Sequence, residues 1–237
     1  MYIYKMMHNS CGFYDAIAKE YNRRMCAYSS NEEVRSKVKE YFLDTVKSGN
    51  VLDFGGGTGL DLFWLSENNF NVYFCEPSSG MKNIAVELND KQLKNNRVVF
   101  LEGIQTDFRQ WSGGTFNIKF DGLLANFAVI NSIHDLTLFF EKMGSILHPG
   151  GHLIASLLDT TFNGIIRYHP KRFLIALIKR EDPLLITNYG NTEHVSYLHS
   201  AAKIRKASAK YFSCERITSL GGFGFMLIHF KRKSTTE

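Results

Sequence analysis

Residues 51–59, which read V-L-D-F-G-G-G-T-G, constrain this chain more than any other part of its sequence. The apolar start is typical of a buried strand, and the strand ends at an acid, Asp53. Glycines then stand at alternate positions, Gly55, Gly57 and Gly59, where the backbone can turn sharply and approach a ligand closely. A helical pattern follows at once, so the stretch predicts a strand–turn–helix unit that forms a nucleotide-type binding site.

The spacing of the glycines separates two cofactor classes. A dinucleotide fingerprint, G-x-G-x-x-G, would need a third glycine where this chain has Leu60. The pattern here is D-x-G-x-G-x-G, which resembles motif I of class I S-adenosylmethionine-dependent methyltransferases. In that family the turn passes under the amino-acid end of the cofactor, and an acidic residue lies near that end. The resemblance assigns these roles to Asp53, Gly55, Gly56, Gly57 and Gly59. An NAD(P)-dependent oxidoreductase on a similar sheet remains the alternative.

A second acid stands at the distance that the first motif requires. Glu76 directly follows the apolar run 71–75 and lies roughly 20 residues after the glycine turn. In nucleotide-type binding sites an acid at this distance accepts hydrogen bonds from the ribose hydroxyls. The following run, E-P-S-x-x-M, resembles the family's turn into its next helix. It implies that Pro77 lies in the cofactor site and that Met81 packs near the adenine.

Two further motifs extend the resemblance over about residues 12–158. The L-x-P-G-G run at residues 147–151 ends a helix and precedes a strand, as in the same family. The stretch 13–21 resembles the family's Y-D-x-x-A-x-x-Y lead-in, whose tyrosine closes the pocket over the methionine portion. Tyr14 and Tyr21 lie seven residues apart, on one helix face, and are the candidates for that role.

The loops after the third and fourth predicted strands complete the cofactor candidates. Many family members place an aspartate after strand three to accept from the adenine amino group, where this chain has Ile104. A backbone carbonyl, Gln105 or Asp107 is expected to take its place, and the backbone N–H of Ile104 is expected to donate to the adenine ring. Asn126 and Phe127 begin an N-F-x-x-x-N stretch that resembles small-molecule methyltransferases and is placed to line the boundary between cofactor and acceptor. It lacks the [DN]-P-P-[YFW] motif of enzymes that methylate nucleic-acid bases.

The sequence motifs do not identify a general base. His134 and His199 are candidates because they fall near the crevice or its lid and histidine has an unperturbed pKa near 6.5. Asn131 is a third candidate, although a turn or helix-cap role would explain it equally well. A base is needed only if the acceptor must lose a proton to react. No residue set has the spacing of a metal site, so none is expected.

The order of elements predicts an α/β fold: a Rossmann-like doubly wound sheet, mostly parallel, with helices on both faces and an antiparallel strand hairpin at the C-terminus. We expect one domain over residues 1–237, with an N-terminal helical lid at 1–47 and a substrate-side insertion at about 160–200. Asn31 is predicted to cap the second helix. The predicted strands lie at about 50–54, 71–75, 97–101, 119–125, 152–158, 212–219 and 224–231.

Composition limits the partners. The net charge is +5 and the four cysteines form no C-x-x-C pair, so neither nucleic acid nor a disulfide framework is indicated. No apolar run is long enough for a membrane span, and a cytoplasmic monomer or homodimer is expected. A basic run (Lys171, Arg172, Lys179, Arg180) is either a solvated face or a means of attracting an acidic acceptor.

The sequence therefore predicts an S-adenosylmethionine-dependent methyltransferase that modifies a small molecule, at oxygen or nitrogen rather than carbon, and releases S-adenosylhomocysteine. A cofactor-binding subunit without activity is the second alternative. The acceptor and the methylated atom are left open.

Overall fold

The computed structural model describes residues 2–93, 97–168, 170–179, 183–221 and 223–234. Two helices, α1 (Tyr2–Cys26) and α2 (Ser29–Thr45), precede the alternating part of the chain. The strands are β1 (Gly49–Phe54), β2 (Phe70–Cys75), β3 (Val98–Phe100), β4 (Phe120–Ala125), β5 (Leu147–Leu158), β6 (Leu184–Tyr189), β7 (Thr192–Tyr197), β8 (Phe212–Ser219) and β9 (Phe225–Arg232). The remaining helices are α3 (Leu62–Glu67), α4 (Ser79–Leu88), α5 (Leu136–Ile146), α6 (Phe162–Tyr168), α7 (Pro170–Lys179) and α8 (Ala201–Ser208).

Seven strands form the central sheet in the order β3-β2-β1-β4-β5-β9-β8. The first five are parallel, whereas β9 is antiparallel to both β5 and β8. The predicted doubly wound sheet with its C-terminal hairpin is thus confirmed. The chain reverses direction across the sheet between β1 and β4, and ligands of such sheets bind at the carboxyl ends of the strands beside that point.

Apolar side chains cover both faces of the sheet. On one face α5 and α8 pack over a core that includes Phe140 and Phe230, which are fully buried. On the other face α2 contributes Val34, Val38 and Phe42, also fully buried, at the four-residue spacing that predicted this helix. Each such side chain contributes roughly 1.5–3 kcal/mol of burial free energy, so α2 is held on the sheet.

Two details of the chain differ from the prediction. Helix α2 begins at Ser29 with Tyr28 at its N-cap, so the prediction that Asn31 caps it is wrong. The Asn31 amide instead donates back to the carbonyl of Met25 at 2.9 Å and closes the turn between the two helices. The region 160–200 also contains two strands that were not among those predicted, because β6 and β7 pair as a separate antiparallel sheet.

Candidate functional site

A cavity of about 250 Å³ lies at the carboxyl ends of β1, β2 and β4, beneath α1. Most of the residues that the sequence motifs single out line it. They are Tyr14, Tyr21, Asp53, Gly55, Gly56, Gly57, Glu76, Pro77, Met81, Asn126 and Phe127. Leu60, at the position where a dinucleotide site would have glycine, lines it as well.

The three alternate glycines of the turn have different structural tasks. All have positive φ, at 71° for Gly55, 61° for Gly57 and 82° for Gly59. A Cβ on Gly55 would lie 2.4 Å from the side chain of Val129, whereas a Cβ on Gly57 would meet nothing within 4 Å. Gly57 therefore leaves its backbone open toward the cavity. Gly59 does not line the cavity; it allows the turn to pack against Ala85 of α4, 3.1 Å from where its Cβ would be.

Glu76 connects the glycine turn to the start of α4. Its Oε2 accepts from the backbone N–H of Gly57 at 2.9 Å, and its Oε1 accepts from that of Ser78 at 2.7 Å. Burial raises the pKa of this carboxyl to about 7, although the two backbone amides favour the ionised form. Each oxygen retains acceptor capacity for a ligand hydroxyl.

Asp53 is buried at the end of β1, 1% exposed. Among the described residues, its Oδ2 atom has no hydrogen-bond partner. Burial raises the pKa of Asp53 well above its usual range, the neighbouring Asp61 raises it further, and Arg35 opposes both. A buried acceptor without a partner is costly, so the position fits a ligand group that donates hydrogen bonds.

Asp61 and Arg35 form a second polar group in the same wall. The Asp61 carboxylate accepts from Arg35 Nη1 at 2.7 Å, from Asn126 Nδ2 at 3.0 Å and from Trp64 Nε1 at 3.1 Å. The Arg35 guanidinium also lies 4.8 Å above the ring of Phe127. The cavity therefore presents a fixed cation as well as the Asp53 carboxyl, a pairing that suits a ligand with both an amine and a carboxylate.

Helix α1 is fastened over the cavity by polar contacts. The Asp15 carboxylate accepts from the hydroxyl of Ser78 at 2.6 Å and from the backbone N–H of Gly80 at 2.7 Å. The hydroxyl of Thr58, in the glycine turn, donates to the side-chain oxygen of Asn22. These contacts hold α1 across the site, where Tyr14 and Tyr21 face the cavity and restrict the access of water.

The loop after β4 is held in an unusual backbone conformation. Phe127 and Ala128 both have positive φ, 64° and 67°, which residues other than glycine adopt rarely. The Ser156 hydroxyl accepts from the N–H of Phe127 at 2.7 Å and donates to the side-chain oxygen of Asn126 at 2.7 Å. Such strain is concentrated at functional sites, where surrounding contacts enforce it.

The loop after β3 reaches the cavity through the residues that follow Gln105. The side chain of Ile104 is 57% exposed, and neither it nor Gln105 lines the cavity. Thr106, Asp107 and Phe108 line it instead. Of the alternatives expected to replace the family's aspartate, the side chain of Asp107 is thus the one that lines the cavity.

The three candidates for a general base do not line this cavity. His134 is exposed and packs against the ring of Tyr197, 5.0 Å away. His199 is buried, with Nε2 at 2.8 Å from the carbonyl of Ile133. Asn131 is fully buried and joins two elements, since it donates to Tyr197 O at 2.7 Å and accepts from Leu158 N at 3.0 Å. The contacts of His199 and Asn131 are those of structural residues.

A different histidine lies against the cavity wall. His194 of β7 is 5% exposed and contacts three hydroxyls: Ser10 at 3.2 Å from Nδ1, and Tyr14 at 3.4 Å and Ser132 at 3.5 Å from Nε2. All three hydroxyl residues line the cavity. Burial lowers the pKa of His194 to about 4, so the imidazole is neutral at pH 7. Sequence spacing could not indicate this residue, because β7 belongs to the hairpin that was not predicted.

Within the described ranges, no group of three or more potential ligands is arranged to hold a metal ion. The same part of the chain contains no helix with the length and apolar character needed to cross a membrane. Arg180, from the predicted basic run, lies outside the described residues.

Comparison with known proteins agrees with this geometry. The family model of the methyltransferase domain matches residues 21–211. No curated protein sequence matches the chain. A solved structure described as a DhpI–SAM–HEP complex is 17% identical, with 96% of this chain and 97% of that chain covered and a TM-score of 0.72. The 1,6-didemethyltoxoflavin-N1-methyltransferase of Burkholderia thailandensis is 12% identical, with 97% and 91% covered and a TM-score of 0.62. The glycopeptide N-methyltransferase MtfA, complexed with sinefungin, is 15% identical, with 85% and 87% covered and a TM-score of 0.62.

Proposed function

The chain belongs to the methyltransferase-domain family, and we propose that it transfers a methyl group from S-adenosylmethionine to a small-molecule acceptor, releasing S-adenosylhomocysteine. The observation that carries this proposal is the cavity wall around Gly57. It combines an open glycine backbone, a buried Asp53 oxygen without a partner in the described part of the chain, and the doubly anchored Glu76.

The polar residues of the wall fit the parts of this cofactor. Asp53 would accept from the amine of the methionine portion, and Arg35 supplies a cation for its carboxylate. Glu76 would accept from the ribose hydroxyls, while Thr106, Asp107 and Met81, which line the same cavity, would contact the adenine. When bound, the cofactor supplies a methyl group on a positively charged sulfur, which is already a good electrophile.

The protein's own contribution is alignment and the exclusion of water. Helix α1, held by Asp15, covers the site with Tyr14 and Tyr21, and the strained loop at Phe127 fixes the opposite wall. Fixing two reactants in this way can lower a barrier by roughly 7–11 kcal/mol. Burial raises the pKa of Tyr14, so its hydroxyl stays protonated and serves as a hydrogen-bond donor or acceptor.

We further propose that the acceptor is methylated on oxygen or nitrogen. Two of the structurally similar enzymes are described as N-methyltransferases, one of 1,6-didemethyltoxoflavin and one of a glycopeptide, which supports a small-molecule acceptor here. Neutral His194, in contact with three hydroxyls of the wall, is the residue best placed to receive a proton through them.

The test is acceptor-dependent formation of S-adenosylhomocysteine. Purified protein is incubated with S-adenosylmethionine and a panel of phenols, amines and carboxylic acids, beside the isosteric variant Asp53→Asn. We expect turnover with at least one acceptor class and its loss in the variant. Tight binding of S-adenosylmethionine without turnover on any acceptor would instead support a non-catalytic binding subunit. Absence of binding would contradict the proposal.

A further inference from the structure

Helices α6 and α7 present large apolar side chains to solvent. They are Ile166 of α6 and Leu174, Ile175 and Ile178 of α7, each between 52% and 73% exposed. Single apolar residues on a surface are common, but a group of them within one short segment is typical of a surface that binds a partner. None of the four lines the cavity beneath α1, so the cofactor site does not account for them.

The exposed residues of α7 lie on one face of the helix. The helix begins at Pro170, whose fixed φ suits the first helical position. Residues three and four positions apart are neighbours on a helix, so Leu174, Ile175 and Ile178 form one apolar stripe. Lys171 is also exposed and stands one turn before Leu174 on the same face. The stripe therefore has a cation at its N-terminal end, whose hydrocarbon stem can lie along apolar surface while the ammonium group meets a polar layer.

The start of α6 is fixed to the central sheet. The carboxylate of Asp159, directly after β5, accepts from the hydroxyl of Thr161 at 2.6 Å and from that of Ser219 in β8 at 2.6 Å. Gly164 lets the helix pass close to this carboxylate, because a Cβ there would be 2.3 Å from Asp159 Oδ1. Helix α7 then packs against α6. The helix pair is thus attached to the sheet at the carboxyl end of β5, while the apolar stripe remains in solvent.

The charge of this segment indicates what covers the stripe. Residues 162–182 contain five lysines or arginines and two acids, Glu181 and Asp182, and so have a net charge of +3. The whole chain carries only +5, so more than half of its net charge lies in this segment. Helices that combine cations with exposed apolar side chains bind at the boundary between headgroups and acyl chains of anionic lipids. A symmetric dimer through the stripe would instead bring two cationic segments together, which opposes association.

We propose that α6 and α7 form a surface by which the protein binds reversibly to an anionic lipid bilayer. The apolar stripe of α7 enters the boundary between headgroups and acyl chains, and Lys171 contacts lipid phosphates beside it. One short stripe gives weak binding by itself, so association requires the apolar contact and the charge together. This inference does not depend on which cofactor the cavity beneath α1 holds.

The experiment is co-sedimentation of the full chain with lipid vesicles. Vesicles of phosphatidylcholine alone are compared with vesicles of phosphatidylcholine mixed with phosphatidylserine. We expect at least about tenfold tighter binding to the mixed vesicles, and salt should weaken that preference. Ile178→Ser should weaken binding to the mixed vesicles about tenfold, because it removes apolar surface that the bilayer buries. Lys171→Gln should weaken it roughly fivefold and leave binding to phosphatidylcholine unchanged.

Val99→Ser is the matched control, because Val99 is an exposed apolar residue on β3, at the opposite edge of the central sheet from β8. It should bind vesicles like the parent protein, and all variants should keep the parent's affinity for S-adenosylhomocysteine. Equal binding to the two kinds of vesicle, no binding to the mixed vesicles, or binding that Ile178→Ser leaves unchanged would overturn the inference. So would a dimer of the parent protein that Ile178→Ser dissociates, since a second copy would then cover the stripe. Failure of S-adenosylhomocysteine to bind the parent protein would overturn the proposed function and leave this inference standing.

Discussion

Replacing Glu76 by glutamine changes one buried carboxylate at the centre of the site with almost no change in shape. In the parent protein both oxygens accept from backbone N–H groups, at 2.9 Å from Gly57 and 2.7 Å from Ser78. An amide would turn its NH₂ group toward one of these donors and would lose the charge that strengthens the bonds to ligand hydroxyls. Hydrogen bonds to charged groups contribute about 1.5–3 kcal/mol, so the Kd for S-adenosylhomocysteine should rise roughly 10- to 100-fold.

The variant should remain folded. The pKa of Glu76 is raised to about 7 in the folded protein, from 4.5. Its ionisation therefore opposes folding as pH rises from 4.5 through 7, and removing that ionisation offsets part of the stability lost with one backbone hydrogen bond above that range. Loss of binding at pH 8 thus reports on the contact and not on unfolding.

The assay is isothermal titration with S-adenosylhomocysteine from pH 6 to 8. The parent protein should bind more weakly as pH falls below about 7, by up to roughly tenfold per pH unit, because the ligand hydroxyls donate to the ionised carboxylate. Glu76→Gln should show no such dependence. Glu102→Gln, at a carboxylate that is 81% exposed, is the control and should behave like the parent. Equal Kd values for the two variants, or a pH dependence that survives in Glu76→Gln, would refute the reasoning.

Four further substitutions test the turn, the loop and a buried histidine. Gly57→Ala should cost about 1–2 kcal/mol of stability by thermal unfolding and weaken cofactor binding, whereas Gly55→Ala, whose Cβ would be 2.4 Å from a side chain, should cost clearly more. Ala128→Gly should raise the unfolding free energy by roughly 0.5–1 kcal/mol, since φ is 67° there; an unchanged or lower melting temperature would contradict this. Burial lowers the pKa of His194 and of His229 to about 4 in the folded protein, from 6.5. As pH falls from 6.5 to 4, these histidines therefore bind protons in the unfolded chain but not in the folded protein, and the free energy of unfolding decreases over that range. His194→Asn should remove up to about 3 kcal/mol of this acid sensitivity in urea unfolding, and an unaltered pH profile would disprove the assignment.

The central sheet and part of the site could be predicted because the information is local. Strands β1 and β2 end in acids within a few residues of the turns that they feed, so Asp53 and Glu76 follow from motifs read along the chain. Helix α2 follows from its four-residue apolar spacing, which the buried Val34 and Phe42 reflect.

Other parts of the site depend on contacts between distant segments. Arg35 lies on a face of α2 that the sequence pattern would predict to be exposed to solvent. Its guanidinium nevertheless donates to the carboxylate of Asp61, 26 residues further along the chain. His194 meets Ser10 across 184 residues, through a hairpin whose first strand, β6, is largely exposed and shows no clear alternation. The orientation of His199, which bonds to a backbone carbonyl, likewise depends on packing that spacing does not encode.

The central claim is that the glycine turn and its two acids hold S-adenosylmethionine and not a dinucleotide. Titration of the parent protein with S-adenosylhomocysteine and, separately, with NADH tests it most directly. We expect one S-adenosylhomocysteine bound per chain and no measurable binding of NADH. Binding of NADH, or of neither ligand, would contradict it.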